Sequence, residues 1–475
     1  MNTVQSIEDE LQQRPVLQFK QKLAYGIGHI LNDVCASMWF TYLLVYYEKI
    51  LLFSATNAGL VLLIGQVADA LATPFVGLHS DIEDNFWLCQ YGKRKTWHLI
   101  GTVCVLGTFP FMFSQCLGCQ MSHQWAQLVY YTVFVCIFQF GWAAVQISHL
   151  SLIPELTALE KERTALIAIR YTFTVFSNVL VYSVTWAVLH ITSKESTKQI
   201  NPEDASKFQM IVLIGMSVGL LTTILFHMFI KEYSRSSRLS TTGASREQSQ
   251  RQPSSPVSIL KNRELYRLAL IYMPSRLFVN LVQSYVPFYL QDTLHMAATS
   301  LAVIPLIMYL SSFKVSFTIH CINAKVGRLV SYTIGASMGL GACGWIYFGN
   351  VDRIESLFIY PVSMLLGGGG SMMLVTSLAI IADYIGQNTE NGAFIYGLMS
   401  FTDKLSNGIA VLLIQYMRCT NARSCEYYYK DILVFVCGGS AMVGLMVTFG
   451  SRACHRSRVT SVIDYDHLDS EEAGR

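Results

Sequence analysis

Charged side chains are scarce in this sequence. Of its 475 residues, 14% are Asp, Glu, Lys or Arg, whereas a typical soluble domain has about 25%. None of these four residue types occurs between Leu99 and Pro154, and a helix needs only about 20 apolar residues to cross a bilayer. That stretch is long enough for two crossings, so we expect a membrane protein and not a soluble enzyme or a disordered protein.

A strong excess of one charge sign is also missing. Lys and Arg number 34 and Asp and Glu number 31, for a net charge of +3, so no basic surface for nucleic acid is expected. The apolar runs lack the alternation of period two that is typical of a transmembrane β-barrel. The first residues, MNTVQSIEDELQQRP, lack the apolar segment of a cleavable signal peptide.

Apolar runs bounded by charge, Pro or Gly predict twelve transmembrane helices. They lie near residues 23–47, 57–79, 97–115, 127–152, 165–190, 208–230, 265–290, 298–321, 328–349, 356–386, 391–417 and 430–453. A polar segment between the sixth and seventh runs cannot bury enough apolar surface to fold. We predict an all-α membrane protein with an N-terminal segment 1–22, a six-helix bundle 23–230, a linker 231–264, a second six-helix bundle 265–453 and a tail 454–475.

The loops indicate an orientation and an internal repeat. Lys and Arg are concentrated in the segments that lie in the cytosol if the N-terminus does, which favours a multi-pass protein with both termini cytosolic. Gly77-x-x-x-Asp81 and Tyr91-Gly-Lys-Arg-Lys95 follow the second run, and Asn323-Ala-Lys-Val-Gly-Arg328 follows the eighth run. Ordinary cytosolic charge is the alternative, but matched loops favour repeated halves with a site at the membrane midplane.

No arrangement of cysteines points to a metal site. Zinc needs two Cys pairs, or one pair with nearby His, on one face. The pairs Cys116/Cys119 and Cys419/Cys425 fall in different predicted bundles. They lie in loops predicted to be luminal, where disulfides can form; unpaired small apolar side chains are the alternative. We expect no metal and no cofactor.

The end of the chain carries a short sorting pattern. Tyr465-Asp-His-Leu468 matches a tyrosine-plus-bulky-residue endosomal signal in an acidic tail. Clathrin-adaptor proteins would read such a signal as an address.

Eight ionisable residues lie inside the predicted membrane helices, where an unpaired charge is costly and usually faces a cavity. We expect Lys314 and Asp383 to lie toward cytosolic ends. Asp403 neighbours Lys404, about 100° round the helix, and we expect it to lie outside the polar cleft. The eight residues are Asp33, Asp69, Asp383, Asp403, Arg170, Arg276, Lys314 and Lys404.

Polar residues recur at helical spacing around these charges. Residues spaced by three or four positions share one helix face, so the stripes predict a hydrated cleft between the bundles; hydrogen bonding between closed helices is the alternative. Four glycines, Gly367 to Gly370, are better explained by a bend or close packing than by a phosphate cradle. The candidate substrate-binding residues are His29, Asp33, Gln146, His149, Arg170, Arg276, Asn280 and Gln283, and the candidate coupling or gating residues are Gln66, Asp69, Thr73, Asp383 and Lys404.

Several segments closely resemble the lysosomal and melanosomal cysteine-transporter branch of the major facilitator superfamily. The resemblance rests on GHILNDVCASMWFTYLLVYY, GLVLLIGQVADALATPFVG, YGKRKTWHLIGTVCVLGTFPFMFSQCLGC, FGWAAVQISHLSLIPEL and SLAIIADYIGQNTENGAFIYGLMSFTDKLSNG. It implies the twelve-helix facilitator fold, a location in the lysosomal and melanosomal membrane, and import of L-cysteine that supplies thiol for pigment.

The chain is more distantly similar to the cation-coupled sugar symporters of the melibiose permease type. Their first-helix Asp follows a Tyr-Gly-x-Gly motif and engages substrate, which the resemblance carries to Asp33 after Tyr25-Gly26-Ile27-Gly28. It carries their cation-site Asp to Asp69, their helix 5 Arg to Arg170 and their helix 11 Lys to Lys404. Two of their carboxylates are replaced here, by Thr73 and Gln146, which favours a smaller zwitterionic ligand.

The resulting hypothesis is a transporter, not an enzyme, that moves L-cysteine by alternating access. Arg276 or Arg170 would hold the carboxylate and Asp33 the ammonium group, because a zwitterion needs one charge of each sign. Asp69 and Lys404 would form a coupling or gating pair. The alternatives are a lipid or sugar symporter of the same superfamily, or a membrane sensor or scaffold that does not transport.

Overall fold

The computed structural model describes residues 17–81, 91–157, 159–192, 199–230, 232, 260–349, 355–385, 392–418 and 427–450. Within these ranges the chain is helical and contains no β-strand. Several predictions fall on other residues and lie outside the described ranges: Cys419, Cys425, Tyr465, Leu468, most of the linker and the tail.

The helices follow the predicted apolar runs closely. Breaks and ends fall at Gly, Pro and polar clusters, which is where backbone hydrogen bonds can be completed by water or side chains. In chain order the α-helices are α1 (Phe19–Ile27), α2 (Ile30–Val45), α3 (Ala55–Asp81), α4 (Lys93–Met112), α5 (Gln124–Ser151), α6 (Ile153–Leu156), α7 (Glu160–Thr192), α8 (Ala205–Phe229), α9 (Arg263–Phe288), α10 (Ser300–Val326), α11 (Arg328–Phe348), α12 (Ile359–Ile385), α13 (Gly392–Tyr416) and α14 (Tyr428–Asp431), the last continuing to Gly450.

Eight described helical segments are long and apolar enough to cross a membrane. The other four predicted spans are also helical, but they are interrupted or carry charge. The first span is divided at Gly28 and His29 into α1 and α2, while α4, α9 and α13 contain Lys, Arg or Asp. Some of the charges that make these helices less apolar belong to the polar clusters described below, namely Asp33, Arg276, Asp403 and Lys404.

The chain forms two compact units. Unit 1 comprises Met1–Gln252, Gln283–Tyr309 and Lys404–Tyr429, and unit 2 comprises Pro253–Val282, Leu310–Asp403 and Lys430–Arg475. Each has its own apolar cluster, because helices in a bilayer associate by packing side chains and not by leaving water. The cluster in unit 1 is Ala24, Tyr25, Leu152, Ile153, Leu166, Phe226 and Ile230, and that in unit 2 is Leu265, Leu268, Ile381, Ile385, Ile395 and Met399.

Glycines bring two pairs of helices into close contact. In unit 1, a Cβ placed on Gly101 of α4 would lie 2.6 Å from the Gly141 carbonyl oxygen of α5. In unit 2, a Cβ on Gly369 of α12 would lie 2.8 Å from the Gly335 carbonyl oxygen of α11. Only Gly permits such an approach. The run Gly367 to Gly370 is therefore a close-packing surface on an uninterrupted helix.

Two π-helical turns repeat the same backbone course. Tyr46–Ile50 follows α2 and Tyr289–Thr293 follows α9. Each is followed by a non-glycine residue with positive φ, Leu52 at 57° and His295 at 49°. These two turns and the two glycine contacts occupy matching places in the two halves of the sequence, as expected of a repeat.

One predicted loop pair is a disulfide. Cys116 and Cys119 are bonded, with their Cα atoms 5.3 Å apart, in the turn between α4 and α5. The bond ties together the loop that joins these two closely packed helices.

Candidate functional site

A cluster of polar groups surrounds Asp33 inside unit 1. The break between α1 and α2 places His29 one turn before Asp33, and the His29 Nδ1 atom lies 3.0 Å from Asp33 Oδ2. Thr174 of α7 donates a hydrogen bond of 3.0 Å to the same oxygen. Asp33 is 7% exposed and His29 is 4% exposed. The carboxylate is thus enclosed by the imidazole of His29 and the hydroxyl of Thr174.

Arg170 supplies the positive charge of this cluster. Its Nη2 atom lies 2.9 Å from His29 Nε2, so His29 accepts from Arg170 on one nitrogen and donates to Asp33 from the other. The Nε atom of Arg170 is buried and has no hydrogen-bond partner among the described residues. One imidazole therefore separates a guanidinium with donor capacity to spare from a carboxylate, an arrangement suited to a ligand with both charges.

The same stripe continues along α2 and α7. Ser37 donates to Asn178 Oδ1 at 2.6 Å, and Thr41 is hydrogen-bonded to Tyr182 at 2.9 Å. Gln283 donates to Thr41 at 3.0 Å. The periodic polar residues here are therefore largely bonded to one another.

Asp69 and Lys404 form a second buried pair in unit 1. Lys404 Nζ lies 2.6 Å from Asp69 Oδ1, and it also donates to Thr73 Oγ1 at 2.7 Å. Thr73 donates to Asp69 Oδ1 at 3.1 Å. Asp69 is 1% exposed. This network of three side chains joins helix α3 to helix α13. It contains the two charges, Asp69 and Lys404, that the sequence hypothesis paired.

Arg276 is bound within unit 2 by a residue that we expected elsewhere. Its Nε atom lies 2.8 Å from Asp403 Oδ2, and Asn280 Nδ2 lies 3.4 Å from the other carboxylate oxygen. The expectation that Asp403 lies outside the polar region was wrong, since it is 3% exposed. The 100° step between adjacent residues gives Asp403 and Lys404 different acidic or basic partners.

Three other candidates lie apart from these networks. Gln146 is half-buried and Gln66 is buried, and neither makes a side-chain hydrogen bond that the described residues show. Asp383 is ion-paired with Arg328 at the ends of α12 and α11, with 59% of its side chain exposed. That pair stabilises helix ends and does not belong to the buried clusters.

A group of charges at the far ends of the helices was missed by the sequence reasoning. Glu48 is 7% exposed and is ion-paired with Arg418. Lys49 lies 2.5 Å from Asp292, and Gln415 donates to Glu48 at 3.1 Å. The signal available was the matching position of Glu48, Lys49 and Asp292 in two equivalent turns after the first and seventh spans.

Two histidines were also missed. His98 on α4 is 1% exposed, and its Nδ1 atom lies 3.0 Å from Nε2 of His227 on α8. His149, which we did select, is fully buried, with Nε2 2.8 Å from the Tyr25 carbonyl oxygen. Each is the single histidine of its helix, so spacing within one helix could not reveal that α4, α5 and α8 bring the three rings together.

One cavity of the described part of the chain lies away from these clusters. It has a volume of about 430 Å³ and lies on unit 2, against α11 and α12. Its lining is apolar apart from two hydroxyl groups, so it cannot satisfy a zwitterion. The lining residues are Val330, Thr333, Ile334, Ser337, Met338, Gly341 and Leu365.

Comparison with known proteins gives relatives along nearly the whole chain. The family model described as MFS/sugar transport protein matches residues 24–418. Major facilitator superfamily domain-containing protein 12 of Homo sapiens is 42% identical over 441 residues, covering 89% of this chain and 91% of that protein. The protein of the same name in Equus caballus is 40% identical over 454 residues, with coverage of 91% and 92%. The glucuronide carrier protein homolog of Escherichia coli (strain K12) is 23% identical over 418 residues.

Solved structures show the same fold at much lower identity. A D-xylose-proton symporter superposes with a TM-score of 0.66 at 14% identity, covering 91% of this chain and 96% of that one. The nucleoside transporter NupG superposes with a TM-score of 0.62 at 12% identity, covering 90% and 99%. The matching family model is one of transport proteins, and the shared fold is that of solved multi-pass transporters.

Proposed function

This chain belongs to the MFS/sugar transport protein family of the major facilitator superfamily, and we propose that this membrane transporter carries L-cysteine from the cytosol into lysosomes and melanosomes by alternating access. The observation that carries the proposal is the set formed in unit 1 by buried Asp33, buried His29 and partly buried Arg170. The choice of cysteine among amino acids rests on the resemblance of the sequence to the cysteine-transporter branch. The relatives in Equus caballus and Homo sapiens support membership of the superfamily.

A zwitterionic amino acid fits this set by charge. Arg170 offers a guanidinium whose Nε has no partner in the described part of the chain, and a carboxylate ligand takes two parallel N–H donors from such a group. Asp33 offers a carboxylate for the ammonium group. Because either charge alone is costly to bury, a ligand that brings both charges is favoured over one that brings a single charge. Arg276 is the weaker candidate, since Asp403 already lies 2.8 Å away.

Asp69, Lys404 and Thr73 are proposed as the coupling or gating network. Burying an ion pair costs desolvation free energy, and such a pair is best known for fixing one arrangement of helices against another or for switching between them. Movement of Lys404 away from Asp69 would leave a charge that a cation or proton can compensate. Gln66 on the same helix and Gln146 on α5 are proposed to shape the polar region, and Asp383 to act at the helix ends.

The cellular setting is proposed on the sequence alone. Import of cysteine into melanosomes would supply thiol for red-yellow pigment. The tail motif Tyr465-Asp-His-Leu468 would direct the protein to lysosomes through clathrin-adaptor proteins, with both termini in the cytosol.

The test is uptake of labelled L-cysteine by the full chain reconstituted in liposomes. We expect uptake above empty vesicles, and a loss of about tenfold or more in Asp33→Asn and Arg170→Gln, because each removes one charge-assisted contact. Glu264→Gln and Arg267→Gln are the matched controls. These residues form a partly exposed pair 3.0 Å apart on α9, and their loss should leave uptake unchanged. No uptake above empty vesicles would contradict the proposal.

Sugar transport is the second candidate, because the family description and the glucuronide carrier homolog of Escherichia coli both name sugars. Replacement of two carboxylates of sugar symporters by Thr73 and Gln146 weighs against it. A competition panel separates the candidates: we expect unlabelled cysteine to compete, and not hexoses, glucuronides or lysophospholipids. Competition by a sugar or a lipid alone would favour the corresponding symporter. Normal pigment in cells whose protein transports no cysteine would favour a sensor or scaffold.

A further inference from the structure

A line of hydrogen-bonded rings runs into unit 1 from its surface. Tyr91, 44% exposed, has its hydroxyl 3.0 Å from His227 Nδ1. His227 Nε2 lies 3.0 Å from His98 Nδ1. His98 Nε2 lies 3.2 Å from the Gly28 carbonyl oxygen, next to His29. Tyr91, which lies two residues before α4, His227 of α8 and His98 of α4 thus connect an exposed hydroxyl to the break between α1 and α2.

The proton positions along this line follow from the acceptor at its inner end. A carbonyl oxygen only accepts, so His98 donates from Nε2 to Gly28 and accepts at Nδ1. His227 must then donate from Nε2 and accept at Nδ1. The Tyr91 hydroxyl faces both that nitrogen and the His227 carbonyl oxygen, at 3.0 and 3.2 Å, and can donate to either. Both imidazoles point their protons inward, which is the order that successive proton transfers require.

The inner end leads to Asp33 through two more histidines. The ring of His149 lies 6.0 Å from that of His98 and 5.2 Å from that of His29, between ring centres. His149 donates from Nε2 to the Tyr25 carbonyl, and its Nδ1 atom is buried without a partner in the described part of the chain. If His149 only stabilised the break between α1 and α2 through its bond to Tyr25, an acceptor nitrogen at Nδ1 without a partner among the described residues would serve no purpose. One water molecule or a ring rotation can bridge each gap.

The charged groups around the line are few. Lys95 donates to the carbonyl oxygens of His227 and Ile230 at 3.1 and 2.7 Å, and its backbone N–H lies 3.1 Å from Glu232. Arg170 contacts His29. The titratable and charged groups that face the histidines from the packed helices are therefore Tyr25, Asp33, Tyr91, Lys95, Arg170 and Glu232.

We propose that His227, His98, His149 and His29 form a proton path between Asp33 and the end of unit 1 where Tyr91 is exposed, the end expected to face the cytosol. Each imidazole takes a proton on one nitrogen and releases one from the other. The last transfer goes from His29 Nδ1 to Asp33 Oδ2 across 3.0 Å. Arg170 lies 2.9 Å from His29 Nε2, so a proton enters there whenever Arg170 moves off that nitrogen, briefly in the absence of substrate and for longer when a substrate carboxylate holds Arg170.

This gate links the path to the proposed function, on which this step rests. A substrate carboxylate that binds Arg170 would free His29 Nε2, and protonation of Asp33 would then remove the charge that holds the ammonium group. Loss of that proton along the path to the cytosolic end would restore the Asp33 charge and thereby favour binding of the amino acid from the cytosol.

The test measures protonation of Asp33 without substrate. The full chain in liposomes is subjected to a pH jump, and the carboxyl band that Asp33→Asn abolishes is followed by time-resolved infrared spectroscopy. We expect His98→Gln and His227→Gln to slow this band by about 100-fold while its final amplitude is unchanged, because a positioned relay accelerates proton transfer by about that factor. In His98→Gln, the amide can still donate to Gly28, which preserves the structural contact. His227→Gln tests the same path at a half-buried position that perturbs folding less.

His79→Gln is the matched control, since His79 is exposed and its ring contacts the Phe75 ring and hydrogen-bonds the Phe75 carbonyl oxygen of its own helix, away from the proposed path. Equal rates in wild type, His98→Gln and His227→Gln would overturn the proton path, as would the absence of an Asp33 band in the wild type. The rate is measured without cysteine, so slowed protonation in the variants together with no cysteine uptake would retain the path and reject the proposed substrate.

Discussion

Asp69 depends for its charge on neighbouring protein groups, because it is 1% exposed. Lys404 lies 2.6 Å away and Thr73 donates to the same oxygen at 3.1 Å. Removing one member of a buried pair leaves the other charge uncompensated, whereas removing both can be nearly neutral. The pair should therefore be strongly coupled in stability, whatever ion it serves.

We predict that Lys404→Met lowers the free energy of unfolding by about 3–5 kcal/mol and that the double variant Asp69→Asn/Lys404→Met recovers most of this loss. Thermal unfolding in detergent, followed by intrinsic fluorescence, measures both. Lys325→Met, at an exposed lysine on α10, should be neutral. A double variant as unstable as Lys404→Met alone would show that the two charges are not a coupled pair.

The sequence was sufficient to select Asp33, Asp69 and Lys404, because charges within apolar runs stand out by cost alone. It could not assign the partner of Arg276, since rotation about α13 decides whether Asp403 or Lys404 faces it. His98 and His227 were missed for a related reason: each is the single histidine of its helix, and only packing of α4 against α8 brings the two rings to 3.0 Å.

Helix contacts depend on glycines at matched positions. A Cβ on Gly335 of α11 would lie 2.9 Å from Met372 Cβ and 3.0 Å from the Gly369 carbonyl oxygen. Such a contact cannot be relieved by side-chain rotation, because one of the atoms is backbone. Gly341 on the same helix has no atom within 4 Å of an added Cβ.

We predict that Gly335→Ala destabilises the protein by about 1–3 kcal/mol through overpacking, while Gly341→Ala is neutral or stabilising by up to about 1 kcal/mol through helix propensity. Both variants differ from the wild type by one methyl group on α11. Equal melting temperatures for the two would mean that α11 and α12 do not approach as closely as described.

The π-helical turns place a second set of charges at helix ends. Glu48 accepts from Gln415 at 3.1 Å and is ion-paired with Arg418, while Lys49 binds Asp292 at 2.5 Å. The apolar pattern predicted the helices that end here, but not these turns, because a π turn adds one residue without changing the apolar content. The turns rotate Glu48 and Asp292 toward positions where their charges are paired.

We predict that Glu48→Gln lowers the free energy of unfolding by about 1–3 kcal/mol, since it removes a carboxylate that accepts charged hydrogen bonds. The loss should be smaller than for Lys404→Met, because Arg418 is 25% exposed and Asp292 lies 3.7 Å from it. Glu264→Gln serves as the control in the same fluorescence melt. A loss no larger than that of Glu264→Gln would contradict a stabilising role for Glu48.

At the scale of the whole molecule, the features that repeat are those that the sequence predicted least directly. The matched loops around Tyr91 and Arg328 suggested repeated halves, and the structure adds paired π turns and paired glycine contacts. These repeated features support the fold, whereas the buried networks differ from half to half. Asp33, His29 and Arg170 have no counterpart at the matching places on α9 and α13, where Arg276 binds Asp403.

Selectivity for both charges of the ligand is the central claim. Uptake of labelled L-cysteine by liposomes in competition with unlabelled L-cysteine, cysteamine and 3-mercaptopropionate tests it most directly. Cysteamine lacks the carboxylate and 3-mercaptopropionate lacks the ammonium group. We predict that wild type prefers cysteine over each by about tenfold to 100-fold, that Arg170→Gln loses only the preference over cysteamine, and that Asp33→Asn loses only the preference over 3-mercaptopropionate. Unchanged preferences in both variants would contradict the account.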